Sequence, residues 1–145
     1  MRTFIDMQFS KLYGHINQCV NGIISPFSFN PKTYKDKEDF ADDFYSVDLE
    51  EKIEKFISNT RKSYLESYRD QINNIVERLL DLHSYLSYKE LENLTFIVKS
   101  EFLTQSINPH IKGLPPEIID TYPNNQREIG ESIFEIYELI KDIKQ

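Results

Sequence analysis

VDLEEKIEKFISNTRKSYLESYRDQINNIVERLLDLHSYL, residues 47–86, runs for forty residues without a glycine or proline, and its reading decides the fold class. Its apolar-side positions Ile53, Ile57, Thr60, Tyr64, Tyr68, Ile72, Ile75, Leu79, Leu82 and Leu86 recur at gaps of three and four, the period of one face of an α-helix. The mean gap is nearer the α-helical repeat than the heptad repeat, which points to the face of a bundle helix rather than the seam of a long coiled coil. Asp48 is the expected N-cap, with Glu50, Glu51 and Glu54 in the first turns where carboxylates meet free amides and the positive end of the helix dipole. Length limits this picture. Forty helical residues would span about 60 Å, whereas a compact chain of this size is about 40 Å across. The helix must therefore break, protrude or pack on another copy. The polar run 58–63 is the expected break or exposed shaft, leaving 64–86 as the core half.

Outward from that stretch, residues 3–20 carry Ile5, Phe9, Leu12, Ile16 and Val20 on one stripe, with Asn21 and Gly22 as a C-terminal stop. Pro26 and Pro31 disfavour helix and central strand in the segment that follows, and its rings Phe27, Phe29 and Tyr34 are expected to tuck against the bundle. A short helix over 37–46 presents Phe40 and Phe44 on one face and carboxylates on the other. Beyond the long helix, Ser87 and Glu90 form a capping-box pattern that opens a helix over 88–105 with Leu91, Leu94, Val98 and Phe102 facing inward. Residues 106–125 hold four of the six prolines and read as a structured loop, with one helical turn near 116–122 and with Ile111, Leu114, Ile118 and Ile119 wrapping over the core. Asn125 and Glu128 repeat the capping pattern before a last helix over 126–144 with the stripe Ile129, Ile133, Ile136, Ile140 and Ile143. The expectation is one all-α domain over 1–145, an irregular bundle of four to five helices built around one long helix, continuous or broken.

Composition narrows the function classes. A chain of 145 residues buries a core without staples. The single Cys19 rules out an internal disulfide and any multi-cysteine zinc site. With no charged-then-apolar leader in this sequence, the expected compartment is the cytoplasm. No apolar run approaches the length of a membrane span, so membrane insertion is not expected. Between Asp36 and Glu54 nine acids face two bases, which accounts for the whole net charge of −7 and leaves the rest neutral. A neutral body with an acidic segment lacks the positive field that nucleic-acid backbones require, so nucleic acid is an unlikely partner.

Motifs for chemistry are sparse. The four glycines have no phosphate-loop or dinucleotide spacing, and His15, His83 and His110 have no zinc-protease or di-iron spacing around them. No cofactor and no metal are expected. Arg78, four residues, then His83 on a helix of an all-α chain is similar to the Arg-x4-6-His motif of the HEPN ribonucleases. That resemblance implies a metal-independent ribonuclease with His83 as acid or base and Arg78 on the phosphate, usually in a dimer groove. The alternative reading pairs Arg78 with Asp81 on the helix surface and leaves His83 near the C-terminal turn. Lys55, Lys62 and Arg69, seven apart, are expected to form a salt-bridged solvated face with Glu51 and Glu66. The function expected overall is a non-catalytic helical module for protein–protein interaction or regulation, either with a separate partner or as a homodimer. The candidate surface comprises Phe40, Phe44, Tyr45, Lys55 and Lys62, with Phe40 and Phe44 also open to a core role.

Overall fold

The computed structural model describes residues 1–24, 33–53, 59–111, 113, 115–119 and 123–144. The helices are α1 (Arg2–Asn21), α2 (Lys37–Tyr45), α3 (Arg61–Asp81), α4 (Tyr88–Val98), α5 (Glu101–Thr104), α6 (Pro116–Ile119) and α7 (Gln126–Lys144), with a 3₁₀ turn at His83–Tyr85 between α3 and α4. The arrangement is an all-α bundle. α7 packs against α1, α2, α4 and α5, while α1 and α4 flank α3. A single apolar cluster draws on α1, α2, α3, α4, α5 and α7. Among the described residues no helix is long and apolar enough to cross a membrane.

The stretch 47–86 is not one helix. α3 begins at Arg61, within the polar run where a break is expected, and Asp48 does not cap it. Asp48 Oδ1 instead accepts from the Glu50 amide at 3.0 Å and closes a local turn. The reason lies in the amides at the start of α3, which have no acceptor within the helix. Arg61 N donates to Glu51 O at 2.9 Å and Lys62 N to Leu49 O at 2.8 Å, while Ser63 N donates to Thr60 Oγ1 at 3.1 Å. The chain therefore runs back beside itself, with an isolated antiparallel bridge between Lys52 and Thr60 and with Leu49 fully buried as its anchor. At 21 residues, α3 spans about 31 Å and fits the body of the molecule. Its buried residues include Leu65 and Val76 beside the expected Ile72, Ile75 and Leu79. Ile57 and Lys55 lie outside the described residues, as do Phe27 and Phe29.

The expected helix over 88–105 is two. The Ser87–Glu90 capping box is present, with Glu90 N to Ser87 Oγ at 3.1 Å and Ser87 N to Glu90 Oε1 at 2.8 Å. α4 then ends at Val98, and α5 restarts because the Phe102 amide donates to Ser132 Oγ of α7 at 3.0 Å, turning the chain so that Phe102 is fully buried. The 106–125 connection departs from the expected wrapping at Ile111 and Ile118, while Leu114 and the Ile119 side chain lie outside the described residues. Ile111 and Ile118 are exposed, and Ile107 is buried in their place. Asn125 ties the connection down, accepting from Asn108 N at 2.8 Å and donating to Ser106 O at 2.8 Å. Gln126, fully buried, donates to Phe44 O and Val47 O and accepts from His110 N at 2.8 Å, which joins α2, the connection and α7 at one point.

Candidate functional site

Phe40 and Phe44 are core residues, not surface ones. Both are fully buried. Phe40 stacks on Phe44 at 5.7 Å and on Phe134 of α7 at 5.6 Å, and Tyr34 meets it edge-on at 5.2 Å. Their four-residue spacing on a short helix makes one apolar face, and α7 covers that face. Tyr45, the next ring, is half-buried against His110, with centroids 4.5 Å apart and its hydroxyl 3.0 Å from His110 Nδ1. Lys62 is half-buried at the start of α3, and Lys55 lies outside the described residues. The Arg69–Glu66 pair expected on α3 is present at 3.9 Å, whereas Glu51 reaches Arg61 at 3.8 Å. The four described residues of the candidate surface are therefore not gathered on one exposed face.

Arg78 and His83 are both exposed, and each is engaged elsewhere. Arg78 Nη1 donates to Gln8 Oε1 of α1 at 3.4 Å, in place of the expected Asp81 partner, and His83 Nδ1 faces Leu80 O at 3.3 Å after α3 has ended. A general acid or base has to converge with the phosphate-holding cation on a shared concavity, and these two side chains are directed to different neighbours. His15 packs by Tyr68 with centroids 6.1 Å apart, and burial, with Lys11 nearby, lowers its pKa. Cys19 is fully buried, which pushes its thiol pKa up and removes it as a nucleophile. Among the described residues no group of His, Cys, Asp and Glu is placed to hold a metal ion.

A different face carries an organised pattern. On α7, Glu128, Glu131, Glu135, Glu138 and Asp142 recur at gaps of three and four and point away from the buried isoleucines. Like charges at these spacings repel and lower helix stability. Part of this repulsion is relieved from outside the stripe: Lys37 of α2 reaches Glu135 at 3.0 Å, Lys89 of α4 reaches Asp142 at 3.1 Å, and Arg127 reaches Glu131 at 3.7 Å as well as Asp42. Glu128 and Glu138 make no ion pair within 4 Å among the described residues, although Arg127 also attracts Glu128. Beside the stripe, where the chain turns from α4 into α5, a groove of about 370 Å³ is lined by Phe96, Lys99, Ser100, Glu101, Ser132 and three of the α7 glutamates. Phe96 is 55% exposed. The groove volume sits at the lower end of ligand pockets, about 300–1,000 Å³, and its open shape suits inserted side chains better than an enclosed small molecule. The signal was present in the sequence as the acidic spacing on the polar side of 126–144, but net charge alone points to 36–54. Comparison with family models, curated proteins and solved structures finds no match for this chain.

Proposed function

We propose that this chain is a non-catalytic helical module that acts by protein–protein contact, and that its contact face is the groove beside Phe96 together with the outer stripe of α7. The observation that carries this reading is the exposed ring of Phe96 standing in a groove edged by Glu101, Glu128, Glu131 and Glu135. An aromatic anchor inside a polar rim is the usual anatomy of a binding hot spot. Covering the exposed half of this ring contributes about 1–1.5 kcal/mol, while the rim sets orientation and encounter rate. The catalytic alternative gains no support from Arg78 and His83, which face Gln8 and Leu80.

Site-specific photo-crosslinking tests the reading. A photoreactive residue at position 96, compared with one at exposed Ser67 on α3, is carried into cells that express the chain. The expected outcome is a discrete adduct from position 96 that is lost in a Glu131→Lys/Glu138→Lys background and absent from position 67. Equal adducts from both positions, or none from position 96, would overturn the assignment of this face. RNA cleavage abolished by His83→Ala would replace the reading with the nuclease one.

A further inference from the structure

We infer that the occupant of this face is a basic amphipathic helix from another protein, with lysines or arginines at helical spacing and one leucine-sized residue on the same side. The inference rests on the proposed contact face and adds the chemistry of its partner.

Three features select that partner. The first is periodicity. Successive carboxylates on α7 lie three or four residues apart, a rise of about 4.5–6 Å per step. A helix laid alongside repeats its same-face side chains at that rise, whereas an extended strand repeats them at about 6.6 Å. The second is the distribution of charge. Lys37, Lys89 and Arg127 already engage Glu135, Asp142 and Glu131. Glu101, Glu128 and Glu138 make no ion pair within 4 Å among the described residues, so incoming cations meet them before the paired carboxylates, with Lys99 beside them in the groove lining and Arg127 already attracting Glu128. Glu128 and Glu138 are ten residues apart on α7, about 15 Å, so the cations must be strung along an element rather than clustered on a point. A single metal ion or small cation cannot bridge that distance. The third is the ring of Phe96, which gives the helix one apolar register mark in an otherwise charged track.

The same features exclude the nearest competitors. A second copy docking through this face by two-fold symmetry would set the acidic stripe against itself. A nucleic acid or phosphate-bearing surface meets the wrong sign of charge. The acidic segment 36–54 carries more charge per residue, but Phe40 and Phe44 are fully buried, Tyr45 is packed against His110, and the groove that Asp48 and Glu50 share with Ile111 presents two carboxylates at no helical repeat. Charge steers a partner there without fixing its register.

The test uses the intact chain and a synthetic alanine-based helical peptide with lysine at every third or fourth position and one leucine on that side. Two controls replace the leucine with alanine or the lysines with glutamate. Amide chemical-shift mapping locates the complex, and fluorescence anisotropy at low and at about 0.15 M salt gives affinity, since screening separates diffuse attraction from a seated complex. The expected result is saturable binding with shifts along 128–142 and at Phe96. Leucine-to-alanine replacement in the peptide weakens it about tenfold. Phe96→Ala abolishes that discrimination, and Glu131→Lys/Glu138→Lys weakens the parent peptide about tenfold, with circular dichroism confirming that both variants remain helical. Shifts centred on 36–54, equal binding of the glutamate peptide, or indifference to Phe96 would overturn the inference. Failure of the peptide while position 96 still crosslinks to a partner refutes the basic-helix chemistry and leaves the contact face standing. Loss of both refutes the face as well. Sedimentation that finds a homodimer protecting Phe96 replaces the proposed partner with a second copy.

Discussion

Replacing Glu90 with glutamine probes the joint between the first and fourth helices, where one side chain serves two purposes. Glu90 Oε1 accepts from Ser87 N at 2.8 Å and from Arg2 Nη1 at 2.9 Å, and Oε2 receives the other Arg2 nitrogen. The forked contact with Arg2, with the Ser87 amide assisting, holds the Glu90 carboxyl at about 2 against an ordinary 4.5. That gap sets a ceiling of about 3 kcal/mol. The Glu90 side chain is 7% exposed but that of Arg2 is 54% exposed, so solvent screening leaves about 1–2 kcal/mol. Because the folded pKa is depressed, this stability is present above the unfolded value near 4.5 and disappears as the pH falls towards about 2. Glu90→Gln keeps an acceptor for the Ser87 amide and removes the charge. It should lower Tm by about 2–8 °C at pH 7, with the gap from wild type closing as the pH is lowered through that window. Glu90→Ala, which also removes the reciprocal half of the capping box, should cost about 1 kcal/mol more. Thermal unfolding followed by circular dichroism at a series of pH values measures all three proteins. A Glu90→Gln gap that stays constant down to pH near 2, or no gap at pH 7, would refute this account of the joint.

Two core substitutions test the packing of α7. Gly130→Ala would ordinarily stabilise a helix by about 1 kcal/mol, but a Cβ there would lie 2.8 Å from the ring of fully buried Phe44. The expected outcome is a net loss of about 1–2 kcal/mol in urea unfolding, and a gain in stability would show that α2 and α7 can separate at no cost. Gln126→Leu removes the donor from the half-buried Val47 carbonyl and the acceptor from the His110 amide, and leaves Phe44 O with the Val47 amide alone. It should lose about 3 kcal/mol or more and accelerate hydrogen exchange at His110, and unchanged exchange there would mean that Gln126 does not anchor the 106–111 segment.

Much of the fold is legible from local pattern. The stripes on 3–20 and 126–144 and the Ser87–Glu90 box identify helices because a helix that buries one face needs only a repeat of about 3.6 residues and a satisfied end. α7 spans Gln126–Lys144, as its spacing predicts. The start of α3 was harder to read. Asp48 and Thr60 are both sound N-caps by residue type, and the choice between them rests on acceptors at Leu49 and Glu51 that become available only when the chain folds back. The candidate surface was less legible again. Phe40 and Phe44 have the same four-residue spacing whether they face solvent or a neighbour, and it is α7 that covers them. Phe96, by contrast, looks like any helical aromatic in sequence, and it stays exposed because α4 packs with Asn93, Leu94 and Ile97 inward and leaves position 96 on its flank.

Sequence by itself determined that this protein is all-α, where most helices lie, and that its chemistry is poor in motifs, because periodicity and end-capping are short-range properties of the chain. Tertiary structure decided where the long stretch breaks, which aromatic residues are spent in the core, and that the carboxylates of α7 line a groove with an exposed ring. Those outcomes depend on which backbone amides and apolar faces find partners far away in sequence, and the energy of those contacts appears only once the helices are packed.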